Sequence, residues 1–377
     1  MNKNIMDSIS LIIPIQDFSI TKPELFQPNA GLILKGKNHG NKILQCFFNP
    51  TNKELMEGYL PSLTLSSAIR RSGRSIALKI QASLPKVLFA ENVSEVCDND
   101  FNAIVDKLQK DLLKLGIEIK KSSIIDAQVV SVHYGKNIIL TNGIATDFLL
   151  QEIAKSKISF RFDSSQTLFR GDFKNESSAI RYHTSRSEIC LYNKSKEYKA
   201  GLKSEKRSVE KQIAHQNLPN SFFNNHEIFR LEVRLNQSEK IRNTLRAIGY
   251  ENTPLTFRSL FNSDIAQKIN STVWLQISNA YSLLHLNFDD DNAIFKQFLQ
   301  KYKPLKAMQL FAIARLLRTT SARELRNLIG KNNPTLNNLF KIIQETPPNS
   351  RFMTDTFNHI SNVIARNEAI TINKLEG

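Results

Sequence analysis

Alternation of apolar and polar residues is the sequence feature that most constrains the fold of this chain. In the stretch RSIALKIQAS, apolar residues recur at every second position from Ile76 to Ala82, which is the pattern of a strand with one buried face. Four later stretches repeat it: QVVSVHYGKNIIL, ISFRFD, SEICLYNK and IFRLEVRLN, starting at residues 128, 158, 187 and 228. These strands predict a sheet with one apolar face and one polar, charged face.

Helical patterns accompany the strands and set the predicted fold class. Apolar residues at helical spacing run from Phe101 to Leu115, after capping candidates at Asp98, Asn99 and Asp100, and Gly116 ends the run. This is the pattern of an amphipathic helix. We therefore predict an α+β fold with a largely antiparallel sheet and helices on one face of it.

The spacing of apolar residues changes near residue 250, from the alternation typical of strands to the spacing typical of helices. A chain of 377 residues, 41% of them hydrophobic, can form two domains. We place an α+β domain at residues 1–248 and an all-helical domain at residues 249–377. Within the latter, residues 321–343 could form a helix-turn-helix. From Lys301 to Lys331 there are eight basic residues and one acidic residue.

Charge and cysteine content narrow the class of partner and the compartment. The formal net charge of +16 favours polyanionic partners such as nucleic acid, although a merely basic surface would give the same value. The three cysteines are scattered and form no CxxC pair, so we expect no disulfide framework, no zinc site and a reducing cytoplasm. No apolar run is long enough to suggest a signal sequence or a membrane span, and we expect no membrane partner.

The polar faces of the predicted strands carry groups suited to phosphoryl transfer. Carboxylates and an imidazole can hold a divalent cation, either Mg²⁺ or Mn²⁺, and a hydroxyl group can attack a phosphodiester that this cation polarises. The candidates on these faces are His133, Asp163, Glu188, Tyr192 and Glu232, bordered by Arg161, Arg230 and Arg234.

Each candidate also has an ordinary structural interpretation. Alternating Glu and Arg in RLEVR is typical of a solvated sheet face with cross-strand ion pairs. His133 could be a hydrogen-bonded strand residue, and Tyr192 could be an aromatic residue of the core or its rim. The paired His-hydrophobic-His signature of many nicking enzymes is absent from the sequence.

Four stretches resemble a known family when taken in order. They are IQASLPKVLFAENVSEV, AQVVSVHYGKNIIL, AIRYHTSRSEICLYNKSKE and IFRLEVRLNQSEKIR, and the opening DSISLIIP is also similar. The chain resembles rolling-circle replication initiators of the filamentous-phage gene II type, phage and plasmid proteins distantly related to the trans-acting plasmid initiators. The resemblance covers roughly residues 7–280.

This resemblance implies a site-specific nickase that opens one DNA strand at a replication origin and rejoins it through a phosphotyrosine. In YNKSKE, Tyr192 stands at the position of the family's nucleophile, and Glu232 in RLEVR stands at an expected metal ligand. His133 lies where some relatives carry an acidic residue, and Asn193 lies where relatives carry a carboxylate. Asp163 is a candidate third ligand.

The remaining site predictions concern DNA contacts and a rival nucleophile. We expect Lys194, Lys196, Arg230 and Arg234 to hold phosphates near the reacting bond, and Lys86 to contact the DNA backbone. Tyr182, beside His183, is the rival nucleophile.

The implied partners are single-stranded or supercoiled origin DNA, with a host helicase and polymerase. Two alternatives remain open. One is a non-enzymatic DNA-binding regulator that relies on the C-terminal helix-turn-helix, and the other is a conjugative relaxase with the same chemistry.

Overall fold

The structure is a computed structural model. It describes residues 2–34, 44–48, 58–70, 73–140, 144–155, 167–168, 179–203, 227–282, 291–319, 322–330, 333–344 and 351–371. The strands are β1 (Ser8–Pro14), β2 (Phe18–Ile20), β3 (Phe26–Gln27), β4 (Leu44–Phe48), β5 (Ser62–Arg70), β6 (Gly73–Ser83), β7 (Ile117–Ile119), β8 (Gln128–Leu140), β9 (Thr167–Leu168), β10 (Ala179–His183), β11 (Ser187–Asn193) and β12 (Glu227–Leu235).

The helices are distributed through the chain and dominate its C-terminal third. They are α1 (Gly31–Leu34), α2 (Leu84–Phe89), α3 (Phe101–Lys114), α4 (Lys121–Ile125), α5 (Thr146–Lys155), α6 (Lys194–Lys203), α7 (Ser238–Ala247), α8 (Phe257–Leu260), α9 (Ser263–Ser282), α10 (Asp291–Lys301), α11 (Pro304–Thr319), α12 (Ala322–Ile329), α13 (Pro334–Gln344) and α14 (Arg351–Arg366). Among the described residues, no helix combines the length and apolarity needed to cross a membrane.

Ten of the described strands form one sheet, in the order β3-β4-β5-β6-β1-β8-β12-β11-β10-β9, and β2 pairs with β7 separately. Every named strand pairing is antiparallel. The sheet joins β8 to β12, although more than eighty residues separate these strands in the sequence. The predicted α+β fold with a largely antiparallel sheet is therefore confirmed, as is the helical character of the C-terminal region.

The apolar face of the sheet packs against helices from the C-terminal third of the chain. Trp274 of α9 lies 6.0 Å from Phe229 of β12 and 5.1 Å from Phe357 of α14, measured between ring centroids. One buried cluster includes the sheet, α9 and α14, and a second includes residues of α10 to α13. Residues after 249 contribute to both clusters, and the predicted domain boundary at residue 249 stays a prediction.

A buried ion pair ties the end of the described chain to β8. The Lys136 ammonium, fully buried, lies 2.6 Å from the Glu95 carboxylate and donates a hydrogen bond to the Glu368 carbonyl. The backbone N–H of Ile370 donates to the same carboxylate at 3.0 Å. The segment after α14 is therefore part of the folded body next to β8.

Candidate metal centre

The register of three adjacent strands brings the polar side chains predicted from the sequence onto one face. Across β8 and β12, Arg234 pairs with His133 and Glu232 pairs with Gly135. Across β11 and β12, Tyr192 pairs with Arg230. Because directly paired residues of antiparallel strands project to the same side, these side chains form one continuous polar surface.

Three side chains on this surface have the spacing of a metal site. One ligand atom each from Asp7, His133 and Glu232 lies within 4.8 Å of the others. Asp7 immediately precedes β1, and its backbone N–H donates to the His133 carbonyl at 2.9 Å. That hydrogen bond holds the start of β1 beside β8 and positions the Asp7 carboxylate over the sheet.

Glu232 is a buried carboxylate held in its ionised form by two arginines. Its side chain is 4% exposed, and its two oxygens lie 3.3 Å from Nε of Arg230 and 2.8 Å from Nε of Arg234. Burial raises the pKa of Glu232, but the two guanidinium groups outweigh burial and hold this pKa well below its usual range. The carboxylate is therefore charged and available as a ligand at neutral pH.

His133 supplies a neutral imidazole beside this carboxylate. Burial lowers its pKa from the usual 6.5, against the opposing effect of the Glu232 charge. Its Nδ1 lies 3.5 Å from the nearer Glu232 oxygen. A neutral imidazole keeps a lone pair that can bind a metal.

Arg230 lies beneath the triad and holds two of its members. Its guanidinium donates to the Asp7 carboxylate at 2.6 Å and to Oδ1 of Asn137 at 2.9 Å, in addition to its contact with Glu232. A Cβ atom at Gly135 would lie 2.6 Å from Nη2 of Arg230. Gly135 thus leaves the space that the guanidinium occupies, and Arg230 is oriented toward carboxylates rather than toward solvent.

The donor set fits a hard or borderline divalent cation. Mn²⁺ can bind both the carboxylate oxygens and the imidazole nitrogen of this set, whereas Mg²⁺ would bind chiefly to the carboxylate oxygens. Cys190 lies on the same face, but burial raises its pKa to about 11, so its thiol is protonated and a poor ligand. The prediction is confirmed in so far as the chain has a group of residues that could hold a metal ion.

Asp7 is the member of the triad that sequence reasoning missed. Its signal was an acidic residue directly before the first strand, within the stretch DSISLIIP. The predicted strand ISFRFD, with the predicted ligand Asp163 and the bordering Arg161, lies outside the described residues. The structure therefore brings together His133 and Glu232 from the predicted set and adds Asp7.

Tyr192 lies against this site. It is half-buried, and its hydroxyl donates to the Glu232 carboxylate at 3.1 Å. Burial raises the pKa of Tyr192 well above 10, with the Arg230 charge opposing that effect. The nearby charges of Glu232, Glu197 and Asp7 raise this pKa further, and the Lys194 ammonium lies 5.7 Å from the centroid of the tyrosine ring.

The residues after Tyr192 have structural roles on α6. Oδ1 of Asn193 accepts from the Lys196 backbone N–H at 2.9 Å, which caps the helix. The Asn193 amide also donates to Asp147 and Glu227, at 3.2 Å each. Asn193 is therefore directed away from the triad, and its difference from the family's carboxylate does not change the candidate ligand set.

The predicted DNA-contacting lysines differ in their surroundings. Lys194 is 4% exposed and pairs with Glu197 at 2.7 Å. Lys196 is 42% exposed and pairs with Asp147. Lys86 lies on α2, with its ammonium 5.6 Å from the Tyr59 ring centroid.

The two arginines predicted to contact DNA differ in how exposed their side chains are. Arg234 is 26% exposed and bridges Glu232 to Glu188, at 3.1 Å from the latter. It is therefore more accessible than Arg230, which is 4% exposed.

Tyr182, the rival nucleophile, belongs to the hydrophobic core, where it is 5% exposed, and burial raises its pKa. Its register partner is Ile189, on the sheet face opposite to Tyr192.

Comparisons of the chain with protein-family models, with curated proteins and with solved structures found no match. Support for a function therefore comes from the geometry of the site and from the resemblance in sequence.

Proposed function

We propose that this chain is a metal-dependent enzyme that nicks one DNA strand and rejoins it, with Tyr192 as the nucleophile. The observation that carries the proposal is the 3.1 Å hydrogen bond from the Tyr192 hydroxyl to Glu232, a member of the candidate metal triad. A nucleophile must lie within reach of the group that activates it. Tyr182 lacks this placement, since it lies in the core.

The proposed reaction exchanges one phosphodiester for another. The Tyr192 oxygen bonds to phosphorus and loses its proton to solvent, while the bond from phosphorus to the 3′-oxygen breaks. The 3′-oxygen keeps the electron pair and takes up a proton. The product is a 5′-phosphotyrosine with a free 3′-hydroxyl, and reversal of the same steps reseals the strand.

Each residue of the site has a role in this chemistry. When bound at Asp7, His133 and Glu232, a Mg²⁺ or Mn²⁺ ion would supply the positive charge that polarises the phosphate and favours the phenolate. Glu232 orients the phenol through the hydrogen bond that it accepts. Arg234, with 26% of its side chain exposed, is the arginine better placed to meet a phosphate oxygen.

The biological role follows from the resemblance to gene II-type initiators. Nicking at a rolling-circle origin leaves a 3′-hydroxyl that a host polymerase extends while a host helicase separates the strands. The net charge of +16 favours binding of single-stranded or supercoiled origin DNA in the cytoplasm. A conjugative relaxase would use the same chemistry at a transfer origin.

A covalent-capture experiment tests the proposal. The full chain is incubated with Mn²⁺ and a randomised single-stranded DNA library, and adducts are resolved under denaturing conditions. Label at the 3′ end should stay with the protein, whereas label at the 5′ end should not, because tyrosine keeps the 5′-phosphate. Adduct formation should disappear with EDTA and in Tyr192→Phe.

Tyr250→Phe is the matched control, because Tyr250 is a half-buried tyrosine outside the site. It should form adduct like the wild type. An adduct that still forms in Tyr192→Phe but disappears in Tyr182→Phe would identify Tyr182 as the nucleophile. Absence of adduct in every variant despite DNA binding would favour the non-enzymatic regulator.

A further inference from the structure

A second feature, distant in sequence from the metal triad, is a helix pair whose connection is closed by a hydrogen bond from the Asn333 backbone N–H to the Gly330 carbonyl at 3.2 Å, the span of a tight turn. Helix α12 ends at Ile329, and α13 begins at Pro334. Gly330 has a φ of 117°, which a residue with a side chain rarely adopts. Asn333 caps α13 by accepting from the Leu336 backbone N–H at 3.1 Å. The turn and the cap fix where α13 starts relative to α12.

One side of α13 anchors the helix in its own hydrophobic cluster. Leu336, Leu339, Phe340 and Ile343 are buried together with residues of α10, α11 and α12. The Arg326 guanidinium of α12 lies 4.7 Å from the Phe340 ring centroid and donates to Oδ1 of Asn337 at 3.3 Å. These contacts hold α13 against its neighbours.

The opposite side of α13 is polar and exposed. Its exposed side chains include Thr335, Asn337, Asn338 and Lys341, mostly in the N-terminal half of the helix. Between Lys301 and Gln344 the sequence contains nine basic residues and one acidic residue. Four of these basic side chains, Lys301, Lys303, Arg315 and Lys341, are described and exposed, and positive charge at a surface attracts a polyanion.

We infer that α13 is a recognition helix that binds the major groove of duplex DNA. Asn amide groups can bond adenine through two contacts, a Thr methyl can contact thymine, and Lys can bond guanine. In helix-turn-helix proteins the N-terminal residues of the second helix meet the base edges, and on α13 these residues are the exposed polar ones. The inference goes beyond the proposed nicking, because it assigns duplex recognition to a surface separate from Tyr192.

The inference is tested by selection on duplex DNA. The full chain is used to enrich a randomised duplex library at fixed salt, without divalent metal, and the affinities for the enriched and a scrambled duplex are measured by fluorescence anisotropy. Wild type should prefer the enriched duplex. Asn338→Ala and Thr335→Ala should each reduce that preference by roughly tenfold, as expected for one lost base contact.

Two variants separate loss of recognition from other effects. Asn243→Ala removes an exposed asparagine from α7 and should leave the preference unchanged. Lys341→Ala should weaken both duplexes and lower the slope of log affinity against log salt by about 1. Asn338→Ala should keep the wild-type thermal denaturation, because alanine is the better helix former.

Failure of this inference is distinguishable from failure of the nicking proposal. If no duplex sequence is enriched, or if Asn338→Ala and Thr335→Ala keep the wild-type preference, α13 is not a recognition helix. Covalent capture on single-stranded DNA by Tyr192 is measured separately and does not enter this outcome.

Discussion

Arg230 and Glu232 carry opposite charges, and both side chains are only 4% exposed. A buried charge requires partners inside the protein. The Arg230 guanidinium finds them in the Asp7 carboxylate and the Asn137 amide oxygen, besides Glu232 itself. The candidate ligands and the arginine beneath them therefore depend on one another.

Gly135→Ala should disrupt the triad without touching a ligand. The added Cβ would lie 2.6 Å from Nη2 of Arg230, so the guanidinium must move and release the Asp7 carboxylate. We expect Mn²⁺ affinity to fall at least tenfold, and the free energy of unfolding to fall by about 1–3 kcal/mol, as in other overpacked sites. Mn²⁺ titration followed by electron paramagnetic resonance measures the affinity, and urea denaturation measures the free energy of unfolding.

Ser131→Ala, on the same strand, is the control for Gly135→Ala and should change neither quantity appreciably. Inside a strand, alanine is ordinarily more stable than glycine by roughly 0.5–1 kcal/mol, so a loss of stability in Gly135→Ala would come from the clash with Arg230. Unchanged Mn²⁺ affinity in Gly135→Ala would show that Arg230 does not hold the ligands in place.

Metal binding should depend on pH through His133. Burial lowers the pKa of His133 from 6.5, so the imidazole is neutral at pH 7, and Mn²⁺ binding should be constant above pH 7. Affinity should fall only when the pH approaches this lowered pKa, which lies below 6.5, and a proton competes for the ligand nitrogen. His133→Asp should move this loss toward about pH 4, where carboxyl groups titrate. Identical pH profiles for the two proteins would exclude His133 as a ligand.

At the scale of elements, alternation and helical spacing predicted the strands around the site and the helix that became α3. The stretch SEICLYN forms β11, and RSIALKIQAS lies within β6. The register between β8 and β12 could not be predicted, because it depends on a pairing of strands far apart in sequence. The Asn193 cap was also ambiguous, since asparagine suits both turns and helix starts.

Asn193→Asp should lower stability but preserve nicking. An aspartate would still cap α6, but it would add a third carboxylate beside Asp147 and Glu227. Repulsion raises the pKa of the new carboxyl in the folded state, so the folded protein binds a proton more readily. The loss of about 1 kcal/mol expected at pH 7 should shrink as the pH falls toward about 4.

Urea denaturation at several pH values measures this effect. Asn193→Ala serves as the comparison, because it removes the cap and the amide donors to Asp147 and Glu227 without adding charge, so its loss of stability should vary less with pH than that of Asn193→Asp. Loss of adduct formation in Asn193→Asp would show that this side chain acts at the metal site after all.

At the scale of the whole molecule, the C-terminal third both completes the core of the sheet and carries the basic helix pair. Helical spacing in the sequence predicted helices there but not their partners, because period alone does not identify the surface that a helix covers. The described structure shows α9 and α14 packed on the sheet, whereas α10 to α13 share a separate cluster. The proposed nicking site and the inferred duplex-binding helix therefore rest on different cores.

The buried Lys136–Glu95 pair should contribute far more to stability than a surface pair. Lys136→Ala would leave the Glu95 carboxylate buried without its cation and remove the hydrogen bond to Glu368. We expect the free energy of unfolding to fall by about 3–5 kcal/mol. Lys3→Ala breaks the exposed pair with Asp264 and should cost no more than about 1 kcal/mol. Equal losses in urea denaturation would show that the buried pair does not anchor the C-terminal segment.

If Tyr192 is the nucleophile, it becomes covalently attached to DNA in a metal-dependent reaction. The most direct measurement is mass spectrometry of the adduct formed with Mn²⁺ and single-stranded DNA, after digestion of both protein and nucleic acid. We predict a nucleotide 5′-phosphate on the peptide that contains Tyr192, and no modified peptide when EDTA is present. A nucleotide attached to any other residue, or an unmodified Tyr192 peptide in protein that binds DNA and Mn²⁺, would show that Tyr192 is not the nucleophile.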